Sequence, residues 1–277
     1  GRAVIRALVA KGEAVRALVH RPEQAGPVQG LGAQQALVGD MRLQDPVDQA
    51  AEGCRAIYHI CPNMSRDELG ISLVAMSAAR SARVERFVYH SVLHPQTEAM
   101  PHHWQKLRVE EQLFESGLCY TILQPTVYMQ NLLAHWDLIA KQGILPVPYA
   151  AETRLGMVDL EDVAAAAVRV LTDEGHEGAT YELVGTEALS QIEVASVLSR
   201  ELGRPVQARA MSLDEWEGLA RRAGLDDYRI ETLIKMFRYY ERHGFGGSPR
   251  VLSWLLRRPP TTLAAFARRD AHEPSDA

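Results

Sequence analysis

The sequence predicts an α/β protein in which a doubly wound parallel sheet precedes a smaller, mainly helical C-terminal lobe. Short, nearly continuous apolar segments alternate with helical segments over the first two thirds of the 277 residues. This alternation is typical of a parallel sheet that helices cover on both faces. Charged helices dominate beyond residue 186. We therefore assign residues 1–185 to a sheet domain, 186–270 to a helical lobe and 271–277 to a tail.

The chain opens on a predicted helix and continues into a predicted strand. Apolar residues at positions 4, 5, 8 and 9 recur at helical spacing, Gly12 supplies a helix stop, and an apolar run follows over 14–19. This order is that of the second half of a βαβ unit. Further strands are predicted at 34–40, 56–63, 86–91, 120–125 and 180–185. Further helices are predicted at 46–52, 67–82, 101–117, 129–142 and 159–172.

The composition excludes several classes of function. A formal net charge of −5 without a Lys/Arg cluster offers no positive field for nucleic acid. Cys54, Cys61 and Cys119 form no Cys-x-x-Cys or Cys/His pattern, so we expect neither a disulfide framework nor a metal site. No apolar run reaches the roughly 18 residues of a membrane span, and no signal peptide is visible. We expect a cytoplasmic protein with no membrane or nucleic-acid partner.

Ligands of open α/β sheets bind beyond the carboxyl ends of the strands, so the residues after each strand are the first candidates. His20 and Arg21 follow the first predicted strand. An acid at this position favours NAD, whereas an arginine favours the 2′-phosphate of NADP, which it can bind as a bidentate pair. We predict that Arg21 binds NADP(H), with NAD(H) left open as a second cofactor. A solvated loop arginine is the alternative.

The next two strand ends supply further candidates. Gly39 and Asp40 follow one strand; a carboxylate there commonly faces the adenine, although Gly-Asp is also a frequent turn. Cys61, Pro62 and Asn63 follow the next strand, and their small, kinked backbone can pass close to a ribose. Taken together, these residues predict a dinucleotide along the carboxyl edge of the sheet.

Several longer segments match the pattern of one protein family. The most specific is HGFGGSPRVLSWLLRRPPTTL at 243–263. The others are Gly1 with its helix, Arg21, VGD at 38–40, YHICPN at 58–63, FVYHSV at 87–92, YTILQPTVYMQN at 120–131 and MVDLEDVAAA at 157–166. With these segments the chain resembles, over nearly its whole length, the NmrA-like group of atypical short-chain dehydrogenases/reductases. The resemblance implies a Rossmann-type sheet that binds NAD(P).

The resemblance also implies a role for Gly1. In that family a strand and a turn of the form Gly-x-x-Gly-x-x-Gly precede the first helix, and Gly1 matches the last of these glycines. It therefore implies that Gly1 contacts the cofactor, since helix N-termini bind phosphate. It further implies that a strand near the middle of the sheet and most of the glycine turn are missing from this sequence. An ordinary N-cap glycine is the alternative.

The catalytic pattern of the wider superfamily is present only in altered form. That pattern is Tyr-x-x-x-Lys, whose two residues share one helix face, with a serine upstream. None of the nine tyrosines has a lysine four residues later, whereas His102 is followed at that spacing by Lys106. We predict that His102 polarises a substrate oxygen or relays a proton, that Lys106 contacts the cofactor and that Ser91 is the upstream hydroxyl. The alternatives are a capping His102, a Lys106 that only holds the nicotinamide ribose, and a turn serine.

Three further features complete the candidate site. Pro125 and Thr126 resemble the family segment that passes the nicotinamide. Aromatic and Met side chains either line a substrate pocket beside it, within segments of 126–160 and from the preceding helix, or form plain core. They are Trp104, Tyr128, Met129, Trp136, Tyr149 and Met157. Asp159 and Asp162 indicate a helix start rather than a catalytic pair. The stretch RYYERHGFGGSPR at 238–250 looks like a phosphate loop, but no strand precedes it, so we interpret it as a turn of the helical lobe.

The sequence leaves two functions from different classes open. The first is an NADPH-dependent reductase of an apolar carbonyl, quinone or dye-like acceptor, because hydride transfer needs only a positioned nicotinamide and an acceptor. The second is a non-catalytic NADP(H)-binding redox sensor that acts through a protein partner. A sugar-nucleotide epimerase or dehydratase is less expected, since those relatives retain Tyr-x-x-x-Lys. Both a monomer and a homodimer remain open.

Overall fold

The computed structural model of the protein describes residues 1–272, and most of the predicted tail lies outside them. The helices are α1 (Arg2–Ala10), α2 (Ala25–Gly30), α3 (Gln44–Ala51), α4 (Glu68–Ser81), α5 (Pro101–Glu115), α6 (Leu160–Thr172), α7 (Gln191–Leu202), α8 (Leu213–Arg222), α9 (Asp227–His243), α10 (Pro249–Leu256) and α11 (Leu263–His272). The strands are β1 (Arg16–Val19), β2 (Gln35–Val38), β3 (Ala56–His59), β4 (Arg86–His90), β5 (Tyr120–Pro125), β6 (Val127–Tyr128), β7 (Ile144–Val147), β8 (Arg154–Leu155), β9 (Met157–Val158), β10 (Thr180–Leu183), β11 (Leu189–Ser190) and β12 (Gln207–Ala210). The predicted α/β class is confirmed.

The described chain forms two compact units. The first comprises residues 1–96, 102–124 and 163–181, and the second contains the remaining described residues. The chain therefore passes between the units several times, and the single boundary at residue 186 stays a prediction. No helix within residues 1–272 is both long enough and apolar enough to span a membrane.

The main sheet of the first unit has the strand order β10-β5-β4-β3. β3, β4 and β5 run parallel, and Val88 in the middle strand is opposite Tyr58 on one side and Thr121 on the other. One face of this sheet packs against α4 and α5 in a fully apolar layer. The buried members of the layer are Ala75, Met76, Ala79, Phe87, Tyr89, Val109, Leu113 and Ile122. These strands lie within the predicted segments, although β3 ends at His59 rather than at residue 63 and β10 ends at Leu183 rather than at residue 185.

A separate two-stranded parallel sheet, β1-β2, belongs to the same unit. β1 pairs only with β2 and β3 pairs only with β4 among the described strands. A cavity of about 790 Å³ is lined by residues of both unpaired strand edges, by the α1 side chains Val4, Ile5 and Leu8, and by Gly1. Buried strand edges normally have hydrogen-bond partners. The residues that line this cavity are therefore those expected to contact an additional strand between β1 and β3.

The segment predicted as helical at 129–142 contains two helices that are not α-helices. Met129–His135 form a 3-10 helix and Leu138–Gln142 form a π-helix. Met129 and Leu132 are both buried, and the three-residue period of a 3-10 helix places them on one side. The predicted helical stretch is therefore present, and packing of these side chains decides its 3-10 and π geometry.

The second unit contains short strand pairs as well as helices. β6 pairs with β9 and β7 with β12 in parallel, while β8 and β11 pair antiparallel. Two of these strands, β11 and β12, lie beyond residue 186, where the sequence predicts mainly charged helices. The buried core of the unit combines residues from β7 with residues from α7 and α11.

Asp159 and Asp162 lie at the start of α6, which confirms the predicted helix start. The Asp159 carboxylate accepts the Glu161 N–H at 3.1 Å and pairs with Arg269 at 2.8 Å. Asp162 pairs with the Arg258 guanidinium and accepts the Thr261 N–H, both at 2.6 Å. Both carboxylates are fully buried. The late RRPPTT segment therefore serves the structure by neutralising a buried aspartate.

The glycine-rich stretch at 238–250 is a site of close backbone packing. α9 ends at His243, and Gly244 adopts a positive φ of 66°. Phe245 bridges to Leu155, and a Cβ on Gly246 would lie 3.3 Å from the Gly156 backbone nitrogen. The interpretation as a turn of the second unit agrees with these contacts.

The cavity between β1 and β3 generates a prediction about stability. We expect an apolar strand of about five residues, added ahead of Gly1 through a glycine turn, to pair with both open edges. Burial of its side chains should raise Tm by more than about 5 °C, measured by circular dichroism. The control is an added segment of equal length made of Gly and Ser. Equal Tm values for the two extensions would show that the cavity does not receive a strand.

Candidate active site

α5 presents three ionisable side chains in one row near the carboxyl end of β4. His102, Lys106 and Glu110 are four residues apart and therefore share a helix face. The Lys106 Nζ donates to Glu68 Oε1 at 2.8 Å and to the His90 carbonyl oxygen at 3.2 Å. The Lys106 side chain is 14% exposed. An ammonium has three N–H donors, and two of those of Lys106 have hydrogen-bond partners among the described residues. The ammonium also lies 5.3 Å from the centroid of the Tyr89 ring.

Glu68 is the acceptor that this site depends on, and it is buried in the first turn of α4. The same Oε1 that binds Lys106 also accepts the Tyr89 hydroxyl at 3.0 Å. Burial and, after it, the Glu68 charge raise the pKa values of Tyr89 and of the Cys61 thiol. Both groups therefore stay protonated at neutral pH and serve as donors to Glu68 rather than as nucleophiles.

Ser91 belongs to a second buried group, which lies at the ends of β4 and β5. Its hydroxyl donates to Glu110 Oε1. The Gln124 amide nitrogen lies 2.9 and 3.1 Å from the two Glu110 carboxylate oxygens. Burial raises the pKa of Glu110, and the hydrogen bonds from Ser91 and Gln124 and the Lys106 charge oppose that shift. The hydroxyl proton of Ser91 is thus held by Glu110 in this structure.

Four histidines of the first unit are held neutral. Burial lowers the pKa values of His59, His90 and His102 to about 3 and that of His103 to about 4. The His102 and His103 rings are 4.5 Å apart and nearly perpendicular. His102 Nδ1 is buried and has no hydrogen-bond partner among residues 1–272. A neutral His102 can therefore donate an N–H hydrogen bond but carries no positive charge near pH 7.

The candidate residues on the β1-β2 sheet lie in a different environment. Arg21 is exposed directly after β1. Hydrogen bonds from Arg42 lower the pKa of Asp40 to about 2, so this carboxylate is ionised and already engaged. A Cβ on Gly39 would lie 2.5 Å from the Pro46 Cβ, which gives this glycine a packing role of its own.

The other predicted residues are divided between surface and interior. Pro62 and Asn63 are exposed after β3, and Gly1 is exposed at the start of α1. Pro125 and Thr126 are buried in the second unit. The Thr126 hydroxyl donates to the Gly156 carbonyl oxygen at 3.0 Å, which is a structural contact.

Sequence reasoning missed Glu68, Glu110 and Gln124. Glu110 had a signal, because it follows Lys106 at the same four-residue spacing that joins Lys106 to His102. Glu68 and Gln124 had none, since their partners lie 38 and 14 residues away along the chain. These contacts depend on how the helices lie against the sheet.

Comparison with known proteins gives one family. The model of the NmrA-like family matches residues 1–267. The NAD(P)H azoreductase of Xenophilus azovorans is 29% identical over 98% of this chain and 94% of its own length. Quinone oxidoreductase 2 of Escherichia coli K12 is 28% identical over 90% of this chain and 86% of its own length. The crystal structure of the Escherichia coli NADPH-dependent quinone oxidoreductase QOR2 with NADPH superposes with a TM-score of 0.83 at 26% identity, covering 97% of this chain and 95% of that one.

The buried neutral histidines predict acid sensitivity of the fold. The unfolded chain takes up protons near pH 6.5, whereas the folded pKa values are depressed to about 3–4. The stability that these groups support is therefore complete above about pH 6.5 and is lost as pH falls, by about 1.4 kcal/mol per pH unit for each histidine.

Urea unfolding between pH 7 and 4.5 measures this loss. His59→Gln should make the free energy of unfolding less steeply dependent on pH than in the parent protein. His20→Gln, at an exposed position, is the matched control and should leave the slope unchanged. A slope that His59→Gln does not alter would show that His59 is protonated in the folded protein.

Proposed function

Because the chain belongs to the NmrA-like family, we propose that it is an NAD(P)H-dependent oxidoreductase that reduces an apolar quinone- or carbonyl-type acceptor. The Lys106 ammonium carries this proposal, because two fixed acceptors hold it beside the carboxyl end of β4 with one N–H left for a ligand. The named activities of the azoreductase and quinone oxidoreductase relatives support the same reaction class. They favour an enzyme over the non-catalytic sensor.

The charges and donors of the first unit fit a dinucleotide. Gly1, which precedes α1, lines the same cavity as Cys61 and Pro62, which follow β3. A helix N-terminus binds phosphate well. Arg21 would bind the 2′-phosphate, and Lys106 would bind the nicotinamide ribose. The buried Nδ1 of His102, which has no hydrogen-bond partner among the described residues, would form a hydrogen bond with a ligand. When bound, the reduced nicotinamide supplies the hydride.

The protein's own part in the reaction is to orient the acceptor and to manage a proton at its oxygen. A neutral His102 donates a hydrogen bond that polarises the acceptor carbonyl. Ser91 can donate its proton to the acceptor only when Glu110 is protonated and returns a hydrogen bond to it. Burial favours this state, because it raises the pKa of Glu110. His102 is thus proposed as the direct hydrogen-bond donor to the acceptor oxygen, and the proton that this oxygen takes up after hydride transfer comes from solvent or from Glu110 through Ser91.

The remaining predicted residues are assigned to positions along the bound dinucleotide. We place the backbone of Cys61, Pro62 and Asn63 beside a ribose, and Gly39 and Asp40 beside the adenine. Pro125 and Thr126 would pass the nicotinamide through their backbone, because the Thr126 hydroxyl is engaged elsewhere.

The activity test needs binding and turnover measured separately. We would titrate NADPH and NADH into the 277-residue chain and into the strand-extended form by calorimetry. Quinones, aldehydes and an azo dye would then be offered while the absorbance of the reduced nicotinamide is followed. Oxidation with any acceptor supports the reductase. Tight binding without oxidation would contradict the enzyme and favour the sensor, and no binding by either form would contradict both.

Arg21 predicts a preference between the cofactors. Arg21→Ala should weaken NADPH by about tenfold or more and leave NADH within about twofold, because the lost contact is a charge-assisted hydrogen bond. Calorimetric Kd values for both cofactors measure the difference. Arg80→Ala removes an exposed arginine at the C-terminal end of α4 and is the control. Equal weakening of NADPH and NADH by Arg21→Ala would refute the assignment.

If His102 acts as a neutral hydrogen-bond donor, its replacement should lower turnover unless the new side chain also carries an N–H. His102→Ala should lower kcat by about 10²-fold or more, whereas His102→Gln, which keeps an N–H donor, should retain much of it. With a pKa of about 3, His102 stays neutral above pH 5, so its replacement should not change the shape of the pH–rate profile between pH 5 and 8. Unchanged kcat in His102→Ala would make His102 a packing residue.

A further inference from the structure

We infer that Glu68 is a positioning residue, which holds the Lys106 ammonium so that its remaining N–H is directed at the nicotinamide ribose. This inference rests on the proposed function of the same site. Glu68 itself touches neither cofactor nor substrate in this scheme, because it is buried behind Lys106 and acts only through it.

The argument begins with the flexibility of a lysine. Its side chain has four rotatable bonds and loses much freedom when it is held in one position. Here Lys106 Nζ is fixed from two directions, by Glu68 Oε1 at 2.8 Å and by the His90 carbonyl oxygen at 3.2 Å. Two fixed acceptors on one tetrahedral ammonium determine the direction of the third N–H. Without Glu68, the His90 carbonyl oxygen would be the remaining acceptor of the two, and the Lys106 side chain could rotate about its bonds.

Glu68 is itself held in place. Its side chain is 4% exposed, and the Tyr89 hydroxyl donates to the same oxygen at 3.0 Å. It lies in the first turn of α4, where the helix dipole favours a negative charge. Its carboxylate is therefore a rigid support for Lys106.

A purely structural ion pair is the competing explanation, and a ligand lacking the nicotinamide ribose separates the two. Adenosine 2′,5′-bisphosphate carries the 2′-phosphate and the adenine but has no nicotinamide half. Glu68→Gln keeps the size and one acceptor oxygen while removing the charge. We expect this variant to weaken NADPH by about tenfold or more and to leave adenosine 2′,5′-bisphosphate within about twofold, measured by calorimetry on the form that binds NADPH.

Two further variants show whether Glu68 acts through Lys106. Tyr89→Phe removes a neutral donor from the same oxygen and should change neither Kd by more than about threefold. The double variant Glu68→Gln/Lys106→Met removes both charges together, so no buried charge is left alone. It should bind NADPH no more weakly than Lys106→Met does, because Glu68 has nothing left to position.

The outcomes are distinct. A parallel loss of both ligands in Glu68→Gln, or unchanged NADPH binding, would overturn the positioning role. An additive loss in the double variant would also overturn it, because Glu68 would then act independently of Lys106. If the parent protein binds neither ligand, the proposed function itself fails. If turnover is observed, the KM for NADPH in Glu68→Gln should rise more than kcat falls.

Discussion

The Lys106–Glu68 ion pair constrains the rest of the site, because neither charge could remain alone where it lies. Loss of one partner from a buried pair typically destabilises a protein by about 3–5 kcal/mol, whereas the intact pair contributes little net stability. The pair connects the first turn of α4 to the middle of α5 and reaches the backbone at the end of β4. Because the intact pair adds little to the free energy of unfolding, we infer that its role is to hold Lys106 for binding a ligand.

Burial shifts the pKa values of the ionisable groups around this pair towards their uncharged forms. Burial keeps the histidines neutral and raises the pKa values of Glu110, Tyr89 and Cys61. Lys106 and Glu68 thus lie among neutral histidines, a protonated tyrosine and a protonated thiol. In such a medium each hydrogen bond to a ligand is stronger than in water. The site is therefore suited to orienting an acceptor through hydrogen bonds, without a nucleophile or a charged acid.

The second unit shows how a specific sequence motif can serve the fold rather than the chemistry. The RRPPTT segment places a guanidinium and a backbone N–H on the buried Asp162, and Arg269 neutralises Asp159 in the same way. Each of these contacts joins residues about one hundred positions apart in the chain. The RRPPTT part of the segment that identifies the family most clearly is thus explained by one buried carboxylate, Asp162, at the start of α6.

Much of the architecture follows from the sequence alone. Apolar periodicity predicted the alternation of strands and helices, and the four-residue spacing predicted that His102 and Lys106 share a face, because both are local properties of the backbone. The same spacing extends to Glu110. The tertiary structure alone decided that Glu68 and Gln124 meet these residues, that Arg42 engages Asp40, and that residues 129–142 form no α-helix. Those outcomes depend on packing between distant segments and on the burial of charge, which no local pattern encodes.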